Sequence, residues 1–233
     1  MKKTIILSVL SIILLSGCEK SGFHKIDPSE ALEIINELSK IEQKEESLII
    51  NIKNDNVDKN SETEIKINCE NNISYYKNNE IEYYTTRELI KEISGYEYYK
   101  FTTYKVDEKK IYTNNNAFNA FHSAFYLTEN SELEFLKLEI KNYLNKNTKY
   151  TFYKNLAGSF KCKKETLHSS GDTTTYEIIF NKKGQVLHNK SIGTLIYDEN
   201  SSGFKFYDTK YEKNIKYKEP KINLPNIDEY TTI

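Results

Sequence analysis

Glu62-Thr63-Glu64-Ile65-Lys66-Ile67-Asn68-Cys69 alternates strictly, placing Ile65, Ile67 and Cys69 on one face and Glu64, Lys66 and Asn68 on the other. That period of two predicts a half-buried strand. Working outward, Leu48 to Ile52 is a second strand, while Glu70-Asn71-Asn72 and Lys77-Asn78-Asn79 are turns, because asparagine tolerates left-handed backbone and bonds its own main chain. Ile73 to Tyr76 with Ile81 to Thr85, and Tyr96 to Val106 with Lys110 to Thr113, then read as hairpin partners. Between these pairs Thr85-Thr86-Arg87-Glu88 has the form of a capping box and predicts a short helix ended by Gly95.

Helical periodicity brackets this meander. Asp27-Pro28-Ser29-Glu30 predicts a helix start, with Asp27 as N-cap, Pro28 at the first helical position and Glu30 completing a capping box. Ala31, Ile34, Ile35, Leu38 and Ile41 follow as one stripe, to about Ile41. Residues 116–145 form a helical insertion: Phe118, Phe121 and Phe125 repeat on one face, and Ser131 with Glu134 caps a helix carrying Leu133, Leu136, Ile140, Tyr143 and Leu144. Strands then resume, with turns expected at Ser169 to Asp172, Lys182 to Gly184, Glu199 to Gly203 and Glu212 to Asn214, until Pro220 and Pro225 end regular pairing. The order of helix, strands, helical insertion and strands indicates an α+β fold.

The amino terminus gives an address. Lys2 and Lys3 precede an apolar run from Ile5 to Leu15, and small residues lead to Cys18 in Leu15-Ser16-Gly17-Cys18. This resembles a lipobox. It implies a lipoprotein signal peptide over residues 1–17, a diacylglycerol with palmitate-type chains on Cys18, and an extracytoplasmic protein held on the cell membrane or outer membrane. Residues 18–26 are then lipidated cysteine and tether, and 27–233 a single domain. An apolar run this short spans a ~30 Å bilayer poorly as a helix, which disfavours a transmembrane reading.

Composition narrows the partners. The formal net charge is −1 with basic and acidic residues interspersed, so no patch exists for neutralising phosphates and nucleic acid is excluded as a partner. Nineteen Tyr and 11 Phe supply the core area that a 38% hydrophobic chain otherwise lacks. Paired tyrosines at 75–76, 83–84 and 98–99 send one ring to each face of a strand, which weakens a sugar-stacking reading.

The closing segment runs Tyr176 to Phe180, a turn with Gly184, a long strand from Gln185 to Asp198, another from Phe204 to Tyr211, and Ile222 to Pro225. With the lipobox, the capped helix and the interrupted meander, this resembles the lipoprotein-sorting and lipid-carrier superfamily. The resemblance implies a curved antiparallel sheet forming an incomplete barrel, with an N-terminal helix and a central helical plug, and an apolar space for an acyl chain. No binding residue carries over from it. Phe118, Phe121, Phe125, Leu133, Leu136 and Ile140 are the candidate lining of that space.

Catalytic patterns are sparse. His24, His122, His168 and His188 lack metal-ligand spacing, no G-x-S-x-G elbow occurs, and neither cofactor nor metal is expected. Cys162, flanked by Lys161, Lys163 and Lys164, is a conceivable nucleophile, but alternation with Phe160 points its thiol inward. Outside the cytoplasm Cys69 and Cys162 are either one disulfide or two buried free thiols. The leading expectation is a noncatalytic, membrane-anchored protein that binds or carries a lipid or other apolar ligand. The alternative is a structural lipoprotein that docks an envelope protein. A cavity under the helices favours the first, an exposed aromatic patch the second.

Overall fold

The computed structural model describes residues 22–42, 44–57, 59–79, 81–113, 121, 131–141, 147–198 and 202–233. One 13-stranded sheet dominates: β1 (His24–Ile26), β2 (Leu48–Asp55), β3 (Asn60–Asn68), β4 (Ile73–Asn78), β5 (Glu82–Ile93), β6 (Tyr96–Lys105), β7 (Lys110–Thr113), β8 (Thr148–Lys154), β9 (Phe160–Leu167), β10 (Thr173–Phe180), β11 (Val186–Asp198), β12 (Gly203–Tyr217) and β13 (Thr231–Thr232). Helices α1 (Pro28–Leu38) and α2 (Ser131–Lys141) pack against each other. Across the sheet the order is β1-β8-β9-β10-β11-β12-β2-β3-β4-β5-β6-β7-β13.

This corrects the expected incomplete barrel. The order begins at β1 and ends at β13 with no pairing between them, so the sheet is neither closed nor strongly curled. It is also mixed, because β13 runs parallel to β7 while the other pairs are antiparallel. Two meanders, β2 to β7 and β8 to β12, are fused where β12 pairs with β2 from Lys210↔Asp55 to Tyr217↔Leu48.

Local expectations fail where tertiary pairing outweighs a short motif. Residues 85–93 lie within β5, because register with β4 and β6 supplies more backbone bonds than one capped turn can. Ser94 and Gly95, both at positive φ, close β5 onto β6 as a two-residue turn of the primed type. Asp27 makes no side-chain cap bond. Glu30 instead forms an ion pair with Lys154, fixing the start of α1 to β8. The helix stops at Leu38, three residues before Ile41, and residues 212–214 continue β12 rather than turn.

The core sits between the helices and one sheet face. Phe152, Cys162 and Ile178 face one another across β8, β9 and β10, and Phe160 and Phe180 form the next row. Ile215, Ile50, Ile65, Tyr76 and Tyr83 carry a row through β12, β2, β3, β4 and β5. Ala31, Ile35 and Leu38 of α1 and Leu133, Leu136 and Ile140 of α2 are buried against these rows in one cluster. Gly184, at φ +78 in the β10–β11 turn, lies where a Cβ would come within 3.0 Å of the Leu38 carbonyl and 3.3 Å of Leu133. Only glycine lets both helices settle on that turn.

Candidate functional site

Along β9 to β11 the rows under α2 change from apolar to polar. Below the Cys162–Ile178 pair, Lys164, Tyr176 and Ser191 form a row, and Thr166 and Thr174 form the next. A groove of about 450 Å³ opens here, with these residues as floor and Glu132, Phe135, Leu136 and Glu139 of α2 as wall. The wall follows from helical spacing, since 132, 135, 136 and 139 lie three and four residues apart on one side. Phe135 is exposed while Leu136, one residue on, is buried. Gly193 sits at a bulge in β11 with φ +78, and the ring of Phe206 lies 2.6 Å from where its Cβ would be, so no larger residue fits that end.

One carboxylate of the groove meets a lysine and the other a phenol. Lys164 donates to Glu139 at 2.5 Å and the Tyr150 hydroxyl donates to the other Glu139 oxygen at 2.8 Å. The Tyr176 hydroxyl donates to Glu132 at 3.0 Å and accepts from the Asn189 amide at 3.0 Å. Burial, then the Glu132 charge, pushes the Tyr176 phenol well above the ordinary tyrosine range. Lys213, opposite Asn189 across β11 and β12, is buried, which lowers its ammonium below the usual lysine range against the raising effect of Glu132. Asn189 Oδ1 is buried and makes no hydrogen bond among the described residues. A polar floor beside the exposed Phe135 ring, with both carboxylates of the wall hydrogen-bonded, suits an amphipathic molecule better than a hydrocarbon.

Of the residues expected to line an apolar space, Phe121, Leu133, Leu136 and Ile140 are buried in the core cluster, and Leu136 alone also lines the groove. Phe118, Phe125, His122 and Cys18 lie outside the described residues. Cys69 and Cys162 are free thiols, so the bridge is not formed; β10, β11, β12 and β2 lie between β9 and β3 in the sheet. Burial, then Glu139, pushes the Cys162 thiol up to about 12, which keeps it protonated and unreactive at neutral pH. His168 Nε2 bonds Thr174 Oγ1 at 3.0 Å, and no group of three metal-ligating side chains occurs among the described residues. Nor is any helix there long and apolar enough to cross a membrane.

Sequence reasoning missed the groove floor, since Lys164, Thr174 and Ser191 meet only through strand register. It also misread Arg87, the single arginine of the chain. Its guanidinium binds both Glu45 oxygens at 2.6 and 2.8 Å, gives Nε to Asn72 Oδ1 at 2.9 Å, and lies over the rings of Tyr99 and Phe121. A planar fork that stacks and binds two oxygens cannot be replaced by lysine, and that need is the signal a lone arginine among lysines carried. Burial opposes its charge, but Glu45 outweighs it and holds the group above its ordinary range.

No protein-family model and no curated protein matches the chain. Among solved structures it is similar to a chain described as an outer membrane lipoprotein-sorting protein domain from Vibrio parahaemolyticus, at 10% identity and a TM-score of 0.22, over 87% of this chain and 97% of that one. It is also similar to a DUF1329 family protein from Desulfovibrio piger, at 10% identity and a TM-score of 0.20, over 82% and 92%. The resemblance to the lipoprotein-sorting fold is weak. Likeness at this level identifies no family and carries no weight for function.

Proposed function

We propose that the chain is a noncatalytic envelope lipoprotein that loses residues 1–17, is anchored by a diacylglycerol on Cys18, and binds an amphipathic ligand in the groove beside α2. The observation that carries the ligand reading is the groove itself, whose 450 Å³ falls within the ~300–1,000 Å³ typical of small-molecule sites. An apolar chain rests on the exposed ring of Phe135. A polar head meets Lys164, Tyr176 and the threonines of the floor. The space directly beneath the helices is occupied by Leu133, Leu136, Ile178 and Phe180, all essentially inaccessible, so the ligand lies beside α2 rather than under it.

Mass spectrometry of the lipidated protein purified from membranes tests this. A stoichiometric amphiphile is expected in the wild type and lost in Phe135→Asp, whose exposed position lets the circular dichroism spectrum persist. A ligand retained in Phe135→Asp, or no ligand in the wild type, overturns the groove reading. Cys18→Ala is expected to lose label from radioactive fatty acid, and continued labelling would remove the anchor.

Docking of an envelope protein is a second reading, supported by the tip of the β11–β12 hairpin. There Ile196, Tyr197 and Phe204 are exposed, and the last two rings meet edge to face at 5.5 Å. Crosslinking from position 204 in intact cells is expected to trap one discrete partner. Only monomeric protein would remove this reading.

A further inference from the structure

The β5–β6 hairpin extends beyond its neighbours. β4 pairs with β5 only as far as Thr86, and β7 pairs with β6 only from Thr102. Among the described residues, 88–100 therefore form a two-stranded ribbon whose pairing is internal. Such a ribbon is marginal in water by itself. It nevertheless presents Leu89, Ile90, Ile93, Tyr96 and Tyr98 to solvent, with Ile90 at 60% and Tyr96 at 72% exposure. The ribbon is also rigidly mounted. At its base Arg87 is clamped by Glu45 and Asn72, and at its tip Ser94 and Gly95 hold a two-residue turn.

We infer that this tip is a second membrane contact, seated at the interface of the same bilayer that holds the Cys18 lipid. The inference rests on the anchored reading of the amino terminus. Because His24 is already paired with Lys154, only five residues lie between Cys18 and the sheet, six residue steps with a reach of ~20 Å at full extension. The bilayer is then the one apolar surface always present at high effective concentration.

The composition of the tip fits that occupant. Aliphatic Leu89, Ile90 and Ile93 are accompanied by Tyr96 and Tyr98, whose rings are apolar and whose hydroxyls stay wet. Glu88, Lys91, Glu92, Glu97 and Lys100 nearly cancel, so no anionic lipid is required. Those charges, and the unpaired backbone of a two-stranded ribbon, bar entry into the hydrocarbon and fix the depth at the headgroup level. With β1 and β5 nine strand spacings apart, ~40 Å, two contacts set the orientation of the body where a lipid alone would let it tumble.

The absence of tryptophan makes a clean reporter available. Full-length lipidated Ile93→Trp is reconstituted with phosphatidylcholine vesicles, with Val57→Trp, in the exposed β2–β3 turn at the end of the sheet opposite His24, as the control. Flotation reports the anchor independently of the tip. Co-flotation with blue-shifted emission, quenching by brominated acyl chains and several-fold loss of acrylamide quenching is expected for Ile93→Trp only. Adding Ile90→Asp should reverse that shielding while flotation persists. Co-flotation with water-like emission from Ile93→Trp overturns the inference and leaves the anchor standing. Failure to float overturns both. Shielding in native envelope membranes but not in protein-free vesicles overturns the bilayer in favour of a protein occupant.

Discussion

The β9–β10 and β5–β6 hairpins belong to one sheet and use similar side chains, yet their fates are opposite. In the first, Phe160, Cys162, Ile178 and Phe180 are essentially inaccessible to water. In the second, Leu89, Ile90 and Ile93 stand in solvent. The first has β8 and β11 as flanking strands and α2 above it, whereas the second outruns both neighbours. Burial is thus decided by the third strand and the covering helix more than by apolar content, and an uncovered apolar ribbon marks a surface meant to be covered by something else.

The contrast is sharpened most by Phe180→Ala, which opens a cavity in a sealed row. It should lower stability by about 3–5 kcal/mol, read from urea denaturation. A loss below ~1 kcal/mol would mean the β9–β10 core is loosely packed. Next is the Cys162 thiol, raised from 9.0 to about 12 by burial. Alkylation near pH 8 should be about a thousandfold slower in the folded than in the unfolded chain, because only the thiolate reacts. A raised folded pKa also means that this contribution to stability is complete below about pH 9 and is lost as pH rises toward about 12. Titration of the urea midpoint across that window checks the sign.

At the base of the other hairpin, Arg87→Lys removes a bidentate pair and two ring contacts. Since Glu45 is half exposed, the expected loss is only about 1–2 kcal/mol. Faster amide exchange confined to residues 88–100 would locate it, and uniform acceleration would contradict the clamp. Smallest of all, Ile90→Ser and Ile93→Ser should change stability by no more than about 0.5 kcal/mol in the absence of vesicles. A loss above ~1 kcal/mol would place the tip inside the packed structure and dissolve the contrast.

Period-two alternation made β3 and β9 readable, because each is half-buried and its pattern records which face meets the helices. Hairpin partners joined by Asn-Asn turns were readable for the same local reason. The overall shape was not. Whether thirteen strands close or stay open depends on whether the outermost strands meet, and nothing in β1 or β13 encodes that locally. Arg87 was misread because a capping box weighs four residues, while its real partners, Glu45, Asn72, Tyr99 and Phe121, come from four separate segments. The groove was hidden likewise, for Glu139 and Lys164 become neighbours only after α2 lies on β9.

The seam between β12 and β2 bears on when this protein becomes a folded object at all. Asp55 waits for Lys210 and Leu48 for Tyr217, so the central ladder joins the two ends of the chain across nearly everything between them. Contacts so distant in sequence form late, since loop closure must come before any pairing that rewards it. During synthesis the outer edge of β2 therefore stays unpaired until β12 emerges. Until residues 203–217 meet residues 48–55 the two halves of the sheet are separate, so one seam decides when the whole molecule is assembled.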